Sequence, residues 1–158
     1  MNHFHILIFA LVITVFTTAC SKDDSSNTPS PSSGNTMAAK IDGSDWSGSL
    51  TVSGVYSSGV LAIAGQDNNV RQIQIRLLNP SGTGDYPIGG TATNPHMCQV
   101  TMGTTQNDMY TTMIGVGNGT VTLTKLSSTE AEGTFSFTAR NMAGSTKSVT
   151  GGSFKVKF

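Results

Sequence analysis

The chain has 158 residues, and its nine basic and nine acidic side chains cancel to a formal charge of zero. That balance excludes a basic surface able to neutralise phosphates, so nucleic acid is not an expected partner. With only two cysteines, Cys20 and Cys98, a disulfide-rich framework is excluded as well.

Met1 to His5 is a short polar lead, and Ile6 to Phe16 is an apolar core. Small residues follow, then Cys20. This is the three-part plan of a secretory signal, whose apolar segment runs about 7–15 residues. A spanning helix needs about 20 apolar residues, so this segment is too short to cross a bilayer and stay. Thr17-Thr18-Ala19-Cys20 resembles a bacterial lipobox, in which small residues lead into a cysteine that is lipidated and becomes the new N-terminus. The resemblance implies removal of residues 1–19 and lipid on Cys20, which leaves Cys98 without a disulfide partner. Ser21-Lys22-Asp23-Asp24 resembles the export tag of Bacteroidota surface lipoproteins. There a Lys and paired acids after the cysteine send the protein to the outer leaflet. The alternative is a charged tether facing the periplasm. Each buried methylene contributes about 0.8 kcal/mol, and two or more acyl chains hold firmly, so an anchored domain needs no membrane-binding surface of its own.

Residues 20–36 read as the lipidated cysteine and a flexible tether. Ser21 to Thr36 holds Ser, Asn, Thr, Pro and Gly with no large apolar residue, and such a segment cannot offset its ordering entropy.

Residues 37–158 read as a single all-β domain. No window shows an i, i+3, i+4, i+7 apolar stripe, so no substantial helix is predicted. Predicted strands are Met37 to Asp42, Leu50 to Tyr56, Val60 to Gly65, Val70 to Leu78, Asp85 to Ile88, His96 to Met102, Asp108 to Ile114, Thr120 to Leu126, Gly133 to Ala139 and Ser153 to Phe158. Period-two alternation is clearest in Phe135, Phe137 and Ala139 against Thr134, Ser136 and Thr138, which places one side on a core and the other in water. Pro87 marks its strand as short, bulged or at an edge. The connections are brief, so neighbours pair antiparallel. The expected fold is an antiparallel meander of about eight to ten strands closed into a calycin-like barrel, with a β-sandwich as the alternative.

Ala39 to Trp46, Gly84 to Gly89, Gly119 to Leu126, Gly133 to Ala139 and Val149 to Phe154 together span this domain. They resemble a family of small Bacteroidota surface lipoproteins built on a domain of unknown function. The resemblance implies an all-β lipoprotein and brings no catalytic residue with it.

Several side-chain groupings invite chemistry and have simpler readings. His96, Cys98 and Met102 share one parity, with Met97, Met109 and Met113 nearby, a set that suits a soft metal. Core packing by Met and Cys, with His96 capping a strand end, is the preferred reading. A Ser-His-Asp system would have to use His96, and no Gly-x-Ser-x-Gly elbow presents a nucleophile. Glu130 and Glu132 share a face, as a glycosidase pair would, but sit beside a turn and read as a solvated face. Gly82-Thr83-Gly84 and Gly115 to Gly119 precede no helix and read as turns rather than phosphate cradles. Trp46 is expected to plug one end of a barrel. The sparse aromatics do not make the girdles of a transmembrane barrel.

The expected function is a non-enzymatic binding or scaffold domain, lipid-anchored at the outer membrane and exposed at the cell surface, without a cofactor. Its partner would be an extracellular glycan, a peptide or an envelope protein. The alternative is a calycin-like carrier of a small apolar ligand. A carrier requires an internal cavity of several hundred Å³, where a binding domain is filled by Ile73, Ile75, Phe135, Phe137 and Phe154.

Overall fold

The computed structural model describes residues 34–89, 93–113 and 115–158. The strands are β1 (Thr36–Ile41), β2 (Ser44–Ser47), β3 (Thr51–Ser57), β4 (Val60–Gln66), β5 (Gln72–Leu78), β6 (Gly84–Gly89), β7 (Met97–Thr101), β8 (Met109–Thr111), β9 (Asn118–Leu126), β10 (Glu130–Arg140) and β11 (Thr146–Lys157). A 3-10 turn, Gln106–Asp108, precedes β8. All strand pairs are antiparallel.

One hydrogen-bonded path runs β2-β1-β11-β10-β8-β7-β5-β4-β3, and β9 joins β10 to β6. β10 serves two neighbours on one side. Its residues from Ala131 to Thr138 face β9, and Arg140 faces Thr111 of β8. Two wings result: β6-β9-β10-β11-β1-β2 and β8-β7-β5-β4-β3. The far ends of the wings meet at residues 48–50, where Gly48 N–H donates to the Met37 carbonyl and Leu50 N–H to the Gln66 carbonyl, each at 2.9 Å. β3 also closes over the end of β11, with the Tyr56 and Phe158 rings 6.1 Å apart. The antiparallel sheet is thereby curled into a half-barrel around one core.

The expected all-β antiparallel class is what the chain adopts, and the strand path adds detail. β6 leaves β5 and pairs with β9 on the opposite wing, while β7 takes the place beside β5. Pro87 in β6 has no N–H, which suits an edge and not a central ladder. That edge is covered: Asn94 Nδ2 donates to the carbonyls of Pro87 and Gly89 at 2.5 and 2.9 Å. β2 was not among the predicted strands, because four residues are too few to show a period.

β5 begins at Gln72, two residues later than expected. Val70 has φ of 64°, a left-handed conformation that is uncommon for a β-branched residue. The Asp67 carboxylate holds that turn. Its Oδ1 accepts the N–H groups of Asn69 and Arg71, each at 2.9 Å, and its Oδ2 accepts Arg71 Nε at 2.7 Å. β11 begins at Thr146 rather than Ser153. The register between β10 and β11 shifts at Phe135/Phe137, and the glycines opposite interrupt the alternation that marks a strand in sequence. Gly152 is required there, since a Cβ would run into the Phe135 ring.

The interior is one hydrophobic cluster. The five-strand wing supplies aliphatics: Leu61, Ile63, Ile73, Ile75, Leu77 and Val100 are all almost fully buried. The six-strand wing supplies the rings. Phe135 stacks at 6.3 Å on both Phe137 and Phe154, and Trp46 reaches from β2 to Gly65 on β4. Burial of each such side chain contributes about 1.5–3 kcal/mol. All five side chains named above as core fillers are buried.

Candidate functional site

The anchor residues Cys20, Ser21, Lys22, Asp23 and Asp24 lie outside the described residues. The structure does place the other groupings. Cys98 points into the core, and burial pushes its thiol far above the ordinary value, so it stays protonated and inert. Met97, one residue away, points out. His96 accepts a hydrogen bond at Nδ1 from the N–H of Leu78, the last residue of β5, and its ring meets Tyr86 edge-on at 5.5 Å. It caps a strand end. Burial holds its pKa below the ordinary value, which favours the neutral ring that can accept this bond.

Glu130 and Glu132 stand on the outer face of β10, each in an ion pair. Lys125 lies 2.8 Å from Glu130, and Lys155 lies 2.9 Å from Glu132. The Lys125 partner holds the Glu130 carboxyl below its usual range, the reverse of what a general acid needs. Trp46 is buried with its indole N–H unpartnered among the described residues.

The outer face of the five-strand wing carries a groupings of side chains that sequence inspection passed over. Three cross-strand rows run over β3, β4, β5 and β7. The first is Thr51, Gln66, Gln72 and Thr101. The second is Ser53, Ala64, Gln74 and Gln99. The third is Val55, Ala62, Arg76 and Met97. Residues directly opposite in such rows stand about 4.5–5.5 Å apart at Cβ, so each row is a contiguous strip. The second and third rows line an open cleft of about 360 Å³. Ala62 and Ala64 are its small central residues, flanked by Val55, which is 58% exposed, and by the longer Gln74, Arg76, Met97 and Gln99.

Arg76 is the only formally charged residue on β3, β4, β5, β7 and β8. It makes no ion pair among the described residues. Gln74 Nε2 donates to Gln72 Oε1 at 2.6 Å and Gln99 Nε2 to Thr101 Oγ1 at 3.2 Å. Each of those amides keeps its carbonyl oxygen and a second N–H free of these bonds. The cleft therefore offers a guanidinium, amides that both donate and accept, and small apolar patches.

A sequence signal for this face existed. Gln66, Gln72, Gln74 and Gln99 are four of the five glutamines in the chain, and all have outward parity on their strands. What hid it was register: the rows form only when β7, and not β6, stands beside β5.

No curated protein and no solved structure matches the chain. A family match covers residues 34–156, from the residues just ahead of β1 to the penultimate residue of β11, and on that extent the chain belongs to the family described as Domain of unknown function (DUF6252).

Proposed function

We propose that this is a non-enzymatic binding domain, anchored by lipid on Cys20 at the outer membrane and carried to the cell surface by Ser21, Lys22, Asp23 and Asp24. The observation that carries the binding reading is the cleft over β3, β4, β5 and β7, with its unpaired Arg76 and part-used amides. A filled interior supports a ligand held on the outside in preference to a carrier with a ligand within. The anchor reading rests on the lipobox-like Thr17 to Cys20 and on the resemblance of the residues after it to an export tag. Ser21 to Thr36, read as the tether, then leads from the lipid into the domain, and its end is part of the fold: Asn35 hydrogen-bonds Val52 and Lys157, and Thr36 opens β1.

Two measurements test the anchor. Cys20→Ser is expected to abolish acyl labelling in the native host and release the protein in soluble form; continued membrane retention would remove the anchor. Lys22→Ala, Asp23→Ala and Asp24→Ala combined are expected to shield the protein from protease added to intact cells. Unchanged digestion would mean that these residues are not the export signal.

A further inference from the structure

We propose that the cleft on the five-strand wing takes an acidic sugar, a hydroxylated ring carrying a carboxylate, with Arg76 on the carboxylate and Gln74, Gln99 and Ser53 on ring hydroxyls. The inference rests on the reading of this cleft as the binding surface, and names its ligand class.

Charge points first to an anion. Arg76 is the one cation on five strands that hold no acid, and no described side chain neutralises it. A guanidinium offers donors in a fixed fork that matches a carboxylate in bidentate fashion. A single positive charge suits a monoanion. A phosphate dianion would call for a second cation, and these strands have none.

The other groups describe the rest of the ligand. A hydroxyl both donates and accepts, and so does a glutamine amide, so the unused positions of Gln74 and Gln99 fit ligand hydroxyls whichever way those point. Ala62, Ala64, Val55 and Met97 give C–H surface for the apolar faces of a ring. A volume of about 360 Å³ lies near the lower end of the range for small-ligand sites, about 300–1,000 Å³, and suits one or two rings. A peptide fits less well. Peptides commonly bind sheets by adding a strand at an edge. Here β4, β5 and β7 are each already paired on both sides, so a strand could add only at the β3 edge, beside the cleft and not across its floor.

The full-length protein is titrated with glucuronic and galacturonic acid, and in parallel with glucose, galactose and acetate, while backbone and arginine side-chain NMR signals are followed. Both uronates are expected to shift signals from β4, β5 and β7, with affinity at least ten-fold above that for the neutral sugars and for acetate. Arg76→Gln is expected to lower uronate affinity at least ten-fold. Arg76→Lys, which keeps the charge and loses the fork, should lie between. Ala62→Leu, on the exposed floor directly opposite Arg76, should block binding by filling the cleft while keeping the guanidinium.

Uronate binding that Arg76→Gln leaves unchanged, or acetate binding as tightly as uronate, would overturn the acidic-sugar assignment. So would neutral sugars or a peptide panel shifting these strands while uronates do not, an outcome that keeps the cleft as a binding surface. If no member of that wider set shifts these strands, or if Ala62→Leu leaves all binding intact, both the ligand class and the cleft fall.

Discussion

The two wings of the sheet share one core and turn opposite exteriors to solvent. On the six-strand wing most charges come in pairs: Lys40 with Asp45, Lys125 with Glu130, Lys147 with Asp42 and Lys155 with Glu132, at 2.5–2.9 Å, while Asp85, Arg140 and Lys157 make no ion pair among the described residues. Between them stand hydroxyls such as Thr120, Thr134, Ser136 and Ser153. On the five-strand wing the outer rows hold amides, alanines and one unpaired arginine. Exposed ion pairs contribute little stability, so pairing is not what holds the first wing together. What it does is cancel the local field. A lone charge on an otherwise neutral face keeps its field, and a cleft beside it concentrates that field on a ligand. The contrast teaches where to look for binding: at the cleft whose one charge stands among neutral side chains.

The largest test of the contrast lies inside. Phe135→Ala removes the ring that stacks on both Phe137 and Phe154, and is expected to cost about 3–5 kcal/mol in urea unfolding. A loss below about 1 kcal/mol would mean that the aromatic side of the core is not packed as described.

The junction comes next. Thr112 is fully buried just past β8, where the wings meet. Its Oγ1 accepts Cys98 N–H at 2.8 Å and lies 3.3 Å from the Cys98 carbonyl, to which it donates. Thr112→Val keeps the shape and strands that N–H, and is expected to cost about 1–3 kcal/mol. A neutral result would show that this hydrogen bond adds nothing to the pairing of β7 and β8 beside the junction.

Arg76→Gln is expected to change stability by less than about 0.5 kcal/mol, because the side chain is exposed and unpaired. A loss above about 1 kcal/mol would mean that Arg76 is engaged within the fold, and the contrast between the two exteriors would blur.

Much of the fold is visible in the alternation of residues. Phe135, Phe137 and Ala139 face inward as their parity requires, and so do Ile73, Ile75 and Leu77. Parity is local, and one strand carries it unaided. The rows of the cleft are not local. Gln74 meets Gln99 only because a proline-bearing strand leaves for the other wing, a choice that depends on pairing energies across the whole sheet. Val70 shows the same limit at small scale. A β-branched residue after two asparagines reads as a strand start, yet the Asp67 carboxylate draws it into a left-handed turn.

The smallest effect belongs to His96, which spans the wings by accepting from Leu78 of β5 and packing on Tyr86 of β6. Burial lowers its pKa from the ordinary 6.5, so below that pH the unfolded chain binds a proton that the folded chain refuses. Stability then rises with pH across the window, in the direction fixed by the unfolded state holding more protons. The contribution is intact above about 6.5 and is lost as the pH falls towards the folded-state value. Asp42, Asp108 and Glu130 are also held below their ordinary values of 3.8, 3.8 and 4.5, but their losses begin only as the pH drops through those values. His96 is the only histidine after Cys20, so a stability slope between pH 4.5 and 6.5 is its own. His96→Gln should flatten that slope, measured as urea midpoints of the domain across this range, and leave the acid limb in place. An unchanged slope would mean that it does not come from this imidazole, and that the wings are not coupled through its protonation.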